Sequence, residues 1–225
     1  MALAIFDLDN TLLCGDSDHL WGEFIAENDI VDESYMKRND AFLEAYQEGR
    51  LDILNYLEFC LEPLASHELA TLNQWHQQFM EQKIKPIILP AGLSLISQHR
   101  ERGDYILIIT ATNSFVTSPI AKALDVDDII ATEPELVNGR YTGKVNGTPS
   151  FQAGKIIRLE QWLQANPHSL DGSYFYSDSH NDIPLLEKVS HPVAVDPDAQ
   201  LQAIATQQDW PVISLRSKDY VDIPA

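Results

Sequence analysis

The sequence predicts an α/β fold: a doubly wound, mostly parallel Rossmann-like sheet with a helical module inserted after the first strand. Three observations predict it. The first apolar run, residues 2–8, is short and ends in acidic residues, as a buried strand does at its carboxyl edge. Residues 17–84 then carry helical periodicity without a convincing strand. From Pro86 onward, short apolar runs alternate with helical patterns.

The inserted module comes first along the chain after that strand. Apolar residues recur in it at the three- and four-residue spacing of an amphipathic helix, beginning with residues 20–25. We expect residues 15–85 to form a helical cap over the active edge of the sheet. Residues 1–14 and 86–225 are expected to form the core domain. The aromatic residues of the module are expected to be core rather than ligand contacts.

Five further strands are expected after the module, each an apolar run bounded by polar or turn residues. They lie at residues 105–109, 129–131, 174–176, 193–195 and 212–213. Helices are expected between them, among others at residues 114–124 and 152–164. Residues 135–147 resemble a hairpin, because Asn138 and Gly139 form a typical hairpin turn.

Composition limits the partners of this chain of 225 residues. Its 34 acidic and 15 basic residues give a formal charge of −19, which repels nucleic acid and anionic lipid. A phosphorylated substrate beside aspartates would therefore need a cation. Cys14 and Cys60 suit a reduced compartment, and the sequence starts without a signal segment or membrane span, so we expect a cytoplasmic protein. The sequence carries no signal for an oligomeric state.

Polar residues follow three of the predicted strands. They are the pair Asp7 and Asp9, then Thr110, then the pair Asp178 and Asp182. Ligands of open parallel sheets bind at the carboxyl ends of the strands, so these residues are expected to meet. Residues two apart on a strand point to the same face, so Asp7 and Asp9 are expected to face one site. Paired carboxylates suit either a hard divalent cation or a nucleophile with an acid/base beside it.

Simpler interpretations of the same residues stay open at this point. A pair of aspartates can cap the next element, and Thr110 can cap the following helix. Lys155 alone would be a solvated helix residue, but it offers the point charge that a phosphate among aspartates needs. Its neighbourhood lacks the spacing of a phosphate-binding P-loop. His180 is expected to be a surface loop residue.

Taken together, these residues resemble the haloacid dehalogenase superfamily of phosphohydrolases over essentially the whole chain. Four separated motifs carry the resemblance, in order: residues 7–12 (Asp-Leu-Asp-Asn-Thr-Leu), Thr110, Lys155 and residues 177–182 (Ser-Asp-Ser-His-Asn-Asp). The cap between the first two motifs resembles the group that includes phosphoserine phosphatases. Residues 110–113 and 177–186 are similar to subfamily IB, some of whose members are histidinol-phosphate phosphatases. Ala111 departs from the glycine common among phosphoserine phosphatases.

The resemblance implies a phosphoric monoester hydrolase that works through an aspartyl-phosphate intermediate, with Mg²⁺ as cofactor. Asp7 is implied as the nucleophile and Asp9 as the general acid and base. The implied metal ligands are Asp7, Asp9 through its backbone carbonyl, Asp178 and Asp182. The implied phosphate-binding residues are Thr110, Lys155 and Asn181.

The substrate is expected to be a small phosphorylated metabolite of amino-acid biosynthesis. Where phosphoserine phosphatases have an acid for the substrate amine, this chain has Asp16, with Asp18 nearby. Those enzymes also use a cap arginine for the substrate carboxylate, and residues 51–64 contain no arginine. An amine without a carboxylate favours histidinol phosphate, while phosphoserine and a phosphotransferase reaction stay open as alternatives. Asp16 and Asp18 suit equally well as solvated caps of the first cap helix.

Overall fold

The computed structural model describes residues 2–217 and 220–224. Its strands are β1 (Leu3–Phe6), β2 (Tyr105–Asn113), β3 (Asp128–Thr132), β4 (Pro134–Val137), β5 (Arg140–Val145), β6 (Tyr174–Ser177), β7 (His191–Val195) and β8 (Val212–Ile213). Six of them form a parallel sheet in the order β3-β2-β1-β6-β7-β8, which confirms the predicted fold class. The chain winds outward on both sides of β1, so the topological switch point of the sheet lies beside it.

Nine α-helices surround the sheet within the described residues. They are α1 (Ser17–Glu27), α2 (Ser34–Gln47), α3 (Ile53–Ser66), α4 (Leu69–Phe79), α5 (Pro90–Glu101), α6 (Ser114–Ala123), α7 (Ala153–Ala165), α8 (Ile183–Leu186) and α9 (Ala199–Gln207). Side chains that accept hydrogen bonds from first-turn amides start α1, α3, α6 and α9. None of the helices described is long and apolar enough to cross a membrane.

The central strand β1 is buried on both faces, which explains its unbroken apolar sequence. Leu3 and Ile5 pack into the cluster beneath one face, and Ala4 and Phe6 pack into the cluster on the other. The Phe6 ring stacks on Tyr176 of the neighbouring strand β6, with ring centroids 4.7 Å apart. Two hydrophobic cores therefore fix the sheet, and its carboxyl edge carries the polar residues.

Helices α1 to α4 occupy the segment that the sequence predicts to be helical. Trp21 of α1 lies at its centre, with ring centroids 5.2 Å from Phe79 of α4 and 5.3 Å from Phe115 of α6. The expectation that the module's aromatic residues are core is confirmed for Trp21, which is fully buried, but not for three others that line a cleft at the edge of the sheet, Phe42, Tyr46 and Tyr56. Because Phe115 belongs to a helix that follows β2, α1 packs directly against the α/β part of the molecule.

The predicted hairpin is formed by β4 and β5, which pair antiparallel. Asn138 and Gly139 both have positive φ, 52° and 79°, as a two-residue hairpin turn requires. Strand β5 packs against α3 rather than joining the main sheet. The hairpin thus links the α/β part of the chain to the inserted helices.

Two strand ends differ from the prediction. Strand β1 ends at Phe6, so Asp7 and Asp9 lie in the following loop, and the expectation that they share a strand face is wrong. Strand β2 continues to Asn113 with an irregular register after Ile109. Thr110 is therefore neither a strand end nor the cap of α6, since Asn113 holds that position. Such bulges re-aim side chains next to functional sites.

Gly154 in the first turn of α7 tests how tightly this helix is seated. A Cβ at this position would lie 2.0 Å from the carbonyl oxygen of Pro149, a backbone atom that cannot step aside. We expect Gly154→Ala to lower the free energy of unfolding by about 2 kcal/mol or more, measured by urea denaturation. Gln161→Ala on the exposed face of the same helix is the control, with a change within about 0.5 kcal/mol. Equal stability of the two variants would contradict the close approach.

Candidate active site

A cleft lies at the carboxyl ends of β1 and β2. Its volume is about 680 Å³ when the solvent at its mouth is counted. Helix α2 and the first turns of α1 and α3 form its opposite wall. It includes six of the residues singled out in the sequence: Asp7, Asp9, Asp16, Asp18, Thr110 and Lys155. Asp178, Asn181 and Asp182 are not part of this lining.

Lys155 ties the edge of the sheet together. Its Nζ lies 2.7 Å from Oδ1 of Asp7 and 2.8 Å from Oδ2 of Asp182, and its side chain is 5% exposed. The hydroxyl of Ser177 donates a second hydrogen bond, of 2.7 Å, to the same Asp182 oxygen. An ammonium group has three N–H donors, and the described residues use two of those of Lys155, so one donor is left for another acceptor in the cleft.

The carboxylates around Lys155 outnumber it. Burial alone would lower the pKa of Lys155, but the charges of Asp182 and Asp7 outweigh burial and raise it above its ordinary value. Burial raises the pKa of Asp7 to about 7, although the lysine opposes the rise. Burial and then the charges of Asp7 and Asp182 raise the pKa of Asp178 well above its usual range. The site is therefore short of positive charge.

Asp9 is held by both of its carboxylate oxygens. Oδ1 accepts a hydrogen bond of 2.6 Å from the amide of Ser17, and Oδ2 accepts one of 2.8 Å from the Thr112 hydroxyl. The hydroxyl of Thr110 lies 3.5 Å from the same Oδ2. Burial, and then the charge of Asp16, raise the pKa of Asp9 to about 6. A carboxyl group with this pKa exchanges a proton readily near neutral pH.

The donor set around Asp7 suits a magnesium ion. In residues 2–217 and 220–224, no group of three or more His, Cys, Asp or Glu side chains converges on a metal position. Mg²⁺ does not need one, because proteins usually hold it by one or two carboxylates together with waters and phosphate oxygens. Asp182 Oδ1 is buried and lacks a hydrogen-bond partner in the described part of the chain. An orphaned carboxylate oxygen near Asp7 and Asp178, whose pKa values are raised, fits a divalent cation.

Asn181 and its neighbours brace the loop after β6. Asn181 Oδ1 accepts a hydrogen bond of 2.8 Å from Gln152, and its Nδ2 donates one of 3.2 Å to Ser179. Its amide is thus engaged within the protein, and its expected contact with phosphate stays a prediction. His180 begins a short 3-10 helix, His180–Asp182, its side chain is 17% exposed, and its Nδ1 lies 2.7 Å from Asp198, so the expectation of a surface loop residue is wrong.

The two acids at the start of α1 differ in role. Asp16 caps the helix, since its carboxylate accepts hydrogen bonds from the amides of Asp18 (3.0 Å) and His19 (2.9 Å). Asp18 is buried and accepts hydrogen bonds from Tyr56 (2.8 Å) and Asn113 (3.1 Å). The interpretation of Asp18 as a solvated cap is therefore wrong. Burial, and then the charge of Asp16, raise its pKa to about 7.

Several site residues were missed in the sequence. Thr112 had a signal, because it lies two residues from Thr110 on one strand and so points to the same face. Tyr56 had none, since 38 residues separate it from Asp18. Arg216 also had no signal in the sequence. Its Nη2 donates hydrogen bonds to the carbonyl oxygen (3.2 Å) and to Oδ1 (3.3 Å) of Asn10. These contacts hold the loop after Asp7, where Asn10 has a φ of 58°.

Comparison with known proteins identifies the class of this fold and site. The family model for haloacid dehalogenase-like hydrolases matches residues 4–187. A histidinol-phosphatase of Neisseria meningitidis is 44% identical over 219 residues, which cover 95% of this chain and 99% of that protein. A crystal structure of a Bordetella pertussis protein of unknown function has a TM-score of 0.90 at 44% identity, covering 95% of this chain and 98% of that one.

A solved structure of a phosphoserine phosphatase with bound substrate shares the fold. Its TM-score is 0.70 at 16% identity, with 97% of this chain and 94% of that chain covered. The chain belongs to the family of haloacid dehalogenase-like hydrolases. It is an enzyme, and its activity is that of a phosphatase, as the four motifs predicted.

The raised pKa of Asp18 predicts a pH-dependent stability. The folded protein keeps a proton on Asp18 up to about pH 7, whereas the unfolded chain releases it near pH 4, so stability falls as pH rises through this window. Asp18→Asn is always neutral and removes this loss. Relative to the unaltered protein, the variant should gain about 2 kcal/mol more at pH 8 than at pH 5.5 in urea unfolding.

The control for this measurement is Asp171→Asn, which changes an exposed aspartate. Its effect on unfolding should be the same at both pH values. A pH-independent effect of Asp18→Asn would show that Asp18 is ionised in the folded protein.

Proposed function

We propose that the protein is a Mg²⁺-dependent phosphatase that hydrolyses histidinol phosphate through an aspartyl-phosphate on Asp7. One observation carries the proposal: a single cleft has the ion pair of Asp7 and Lys155 in one wall, and its other walls contain acids but no arginine among the residues that the structure describes. The first feature suits transfer of a phosphoryl group, and the second suits a substrate with an amine and no carboxylate.

Asp7 is the nucleophile of the proposed reaction. Among the described residues, Lys155 donates a hydrogen bond to Oδ1 of Asp7 and no side chain donates to Oδ2. Oδ2 is therefore available to attack phosphorus. As the new O–P bond forms, the bond between phosphorus and the ester oxygen breaks, and that oxygen takes a proton from Asp9. Water then attacks phosphorus, Asp9 accepts its proton, and the bond to Asp7 breaks to release phosphate.

The surrounding residues supply charge and orientation. Lys155 and Thr110 both line the cleft, and we assign to the phosphoryl oxygens the hydroxyl of Thr110 and the Lys155 N–H donor that no described residue uses. Asp7 and Asp178, with the backbone carbonyl of Asp9, are the proposed ligands of Mg²⁺, and Asp182 supports them. When bound, Mg²⁺ neutralises negative charge on the phosphoryl group and on the carboxylates.

The substrate proposal follows from the charge of the lining. Asp16 and Asp18 lie in the wall formed by α1, and their carboxyl groups, partly buried for Asp16 and buried for Asp18, suit a substrate ammonium group. Among the described residues that line the cleft, Lys155 is the one lysine and there is no arginine. The carboxylate of phosphoserine would therefore meet acids without a partner. The similarity to a histidinol-phosphatase over nearly the full length of both chains supports the same choice.

The inserted helices are proposed to act as a cap, residues 15–85, on a core of residues 1–14 and 86–225. The two connections between these parts run side by side, as an isolated antiparallel bridge joins Leu13 to Ile88. The amide of Cys14 also donates a 2.8 Å hydrogen bond to the carbonyl oxygen of Ile87. Two adjacent chain connections that are hydrogen-bonded to each other are suited to act as a hinge between the two parts. The cytoplasmic location stays a prediction from the sequence.

Replacement of the nucleophile tests the chemistry. Asp7→Asn should reduce phosphate release by at least about 1,000-fold, because the amide cannot form the intermediate. Thermal unfolding should show a folded protein, since burial already favours a neutral group at this position. Asp171→Asn, an exposed substitution, should keep full activity. Ordinary turnover by Asp7→Asn would contradict the mechanism.

A substrate comparison tests the specificity. With Mg²⁺, kcat/KM for histidinol phosphate should exceed that for phosphoserine by at least about tenfold, because the carboxylate of phosphoserine stays unpaired in the acidic cleft. Free phosphate should account for all substrate consumed when a second alcohol is present, and phosphorylation of that alcohol would favour a phosphotransferase. A preference for phosphoserine would contradict the substrate proposal. Hydrolysis that survives excess chelator would contradict the role of Mg²⁺.

A further inference from the structure

The wall of the cleft opposite Asp7 contains a buried amide that the proposed reaction does not use. Asn39 of α2 is 3% exposed and lines the cleft. Among the described residues, its side chain makes one hydrogen bond, which Nδ2 donates to the carbonyl oxygen of His19 at 3.0 Å. That bond assigns the two ends of the amide and leaves Oδ1 as an acceptor without a protein donor.

Gly22 fixes the position of this amide. A Cβ at Gly22 would lie 2.4 Å from Nδ2 and 3.0 Å from Oδ1 of Asn39, so the carboxamide rests directly against the backbone of α1. A buried carboxamide that packs against backbone and is also hydrogen-bonded through Nδ2 has little freedom to turn. The acceptor is therefore held in place before a ligand arrives.

The surroundings of Asn39 indicate which ligand the acceptor suits. His19 also lines the cleft; its Nδ1 is buried without a partner in the described part of the chain, and its Nε2 lies within 3.7 Å of two carboxylates. Phe42 and Tyr56 add an aromatic surface, with ring centroids 5.3 Å apart. An uncharged acceptor, a ring nitrogen and aromatic faces together match a flat heterocycle that carries an N–H group.

We propose that Asn39 determines substrate specificity, because its Oδ1 accepts a hydrogen bond from a ring N–H at the end of the substrate remote from phosphate. This inference rests on the proposed function and deepens it. Asp16 and Asp18 bind the amine, and Asn39 distinguishes a heterocyclic amine from a simple one. A bound substrate without the ring N–H leaves Oδ1 buried and unpaired, which lowers its transition-state binding.

Three substrates separate the two contacts. Histidinol phosphate has both the amine and a ring N–H, O-phosphoethanolamine has the amine without a ring N–H, and p-nitrophenyl phosphate has neither an amine nor a ring N–H. We expect Asn39→Leu, which is similar in shape but lacks the amide, to lower kcat/KM for histidinol phosphate by about 10- to 100-fold. For the other two substrates the change should stay within about threefold.

Gly22 provides the matched variants. Gly22→Ala keeps Asn39 but displaces it, so the same selective loss is expected. The double variant Gly22→Ala/Asn39→Ala relieves the collision and should recover thermal stability without recovering the preference for histidinol phosphate. L-histidinol, which has the ring and amine but no phosphate, gives a binding readout. Its inhibition constant should rise by at least about tenfold in Asn39→Leu, while that of inorganic phosphate stays constant.

The outcomes distinguish this inference from the proposed function. Equal losses of Asn39→Leu on all three substrates, or no loss on any, would overturn the role of Asn39 and leave the histidinol phosphate proposal standing. Failure of the unaltered enzyme to hydrolyse histidinol phosphate would overturn the substrate proposal and the role of Asn39 with it. A loss of kcat/KM for histidinol phosphate alone, in both Asn39→Leu and Gly22→Ala, supports the histidinol phosphate proposal and the role of Asn39.

Discussion

The buried ion pair of Lys155 with Asp7 and Asp182 is the interaction on which the rest of the site depends. Burying an ammonium group costs several kcal/mol unless its partners are close and themselves hydrogen-bonded. Here the contacts are 2.7 and 2.8 Å, and Ser177 supports the shared Asp182 oxygen. The lysine thereby joins helix α7 to the loops after β1 and β6, which are far apart in sequence. Gly154 lets the first turn of α7 pack against the carbonyl oxygen of Pro149 in the preceding loop.

One lysine does not neutralise the acids that this arrangement collects. Burial raises the pKa of Asp7, Asp9 and Asp18 to about 7, 6 and 7, so their ionised forms are costly without further positive charge. A divalent cation near Asp7 and a substrate amine near Asp18 would supply it from two sides of one cleft. The phosphatase chemistry and the proposed choice of substrate are thus two consequences of the same charge imbalance.

The two walls of the cleft separate chemistry from selection. The α/β part contributes Asp7, Asp9 and Lys155, which are anchored by the parallel sheet and by α7. The inserted helices contribute Asp18 and Asn39, which are proposed to meet the remote end of a ligand. This division would explain why Asp7 and Lys155 are motif residues of a large family, whereas Asp18 and Asn39 belong to no motif. Fold alone therefore does not specify the substrate.

The sequence by itself determined the alternating strands and helices, the collection of Asp7, Thr110 and Lys155 at one sheet edge, and the enzyme class, because these follow from local periodicity and fixed motifs. Tertiary structure decided the rest. It moved Asp7 and Asp9 off the strand, buried Asp18, and seated Asn39 on the backbone of α1. Such contacts join residues 17 to 206 positions apart, and burial changes their pKa values. A local sequence pattern does not show which distant side chains will surround a carboxylate, or how far the carboxylate will be exposed to water.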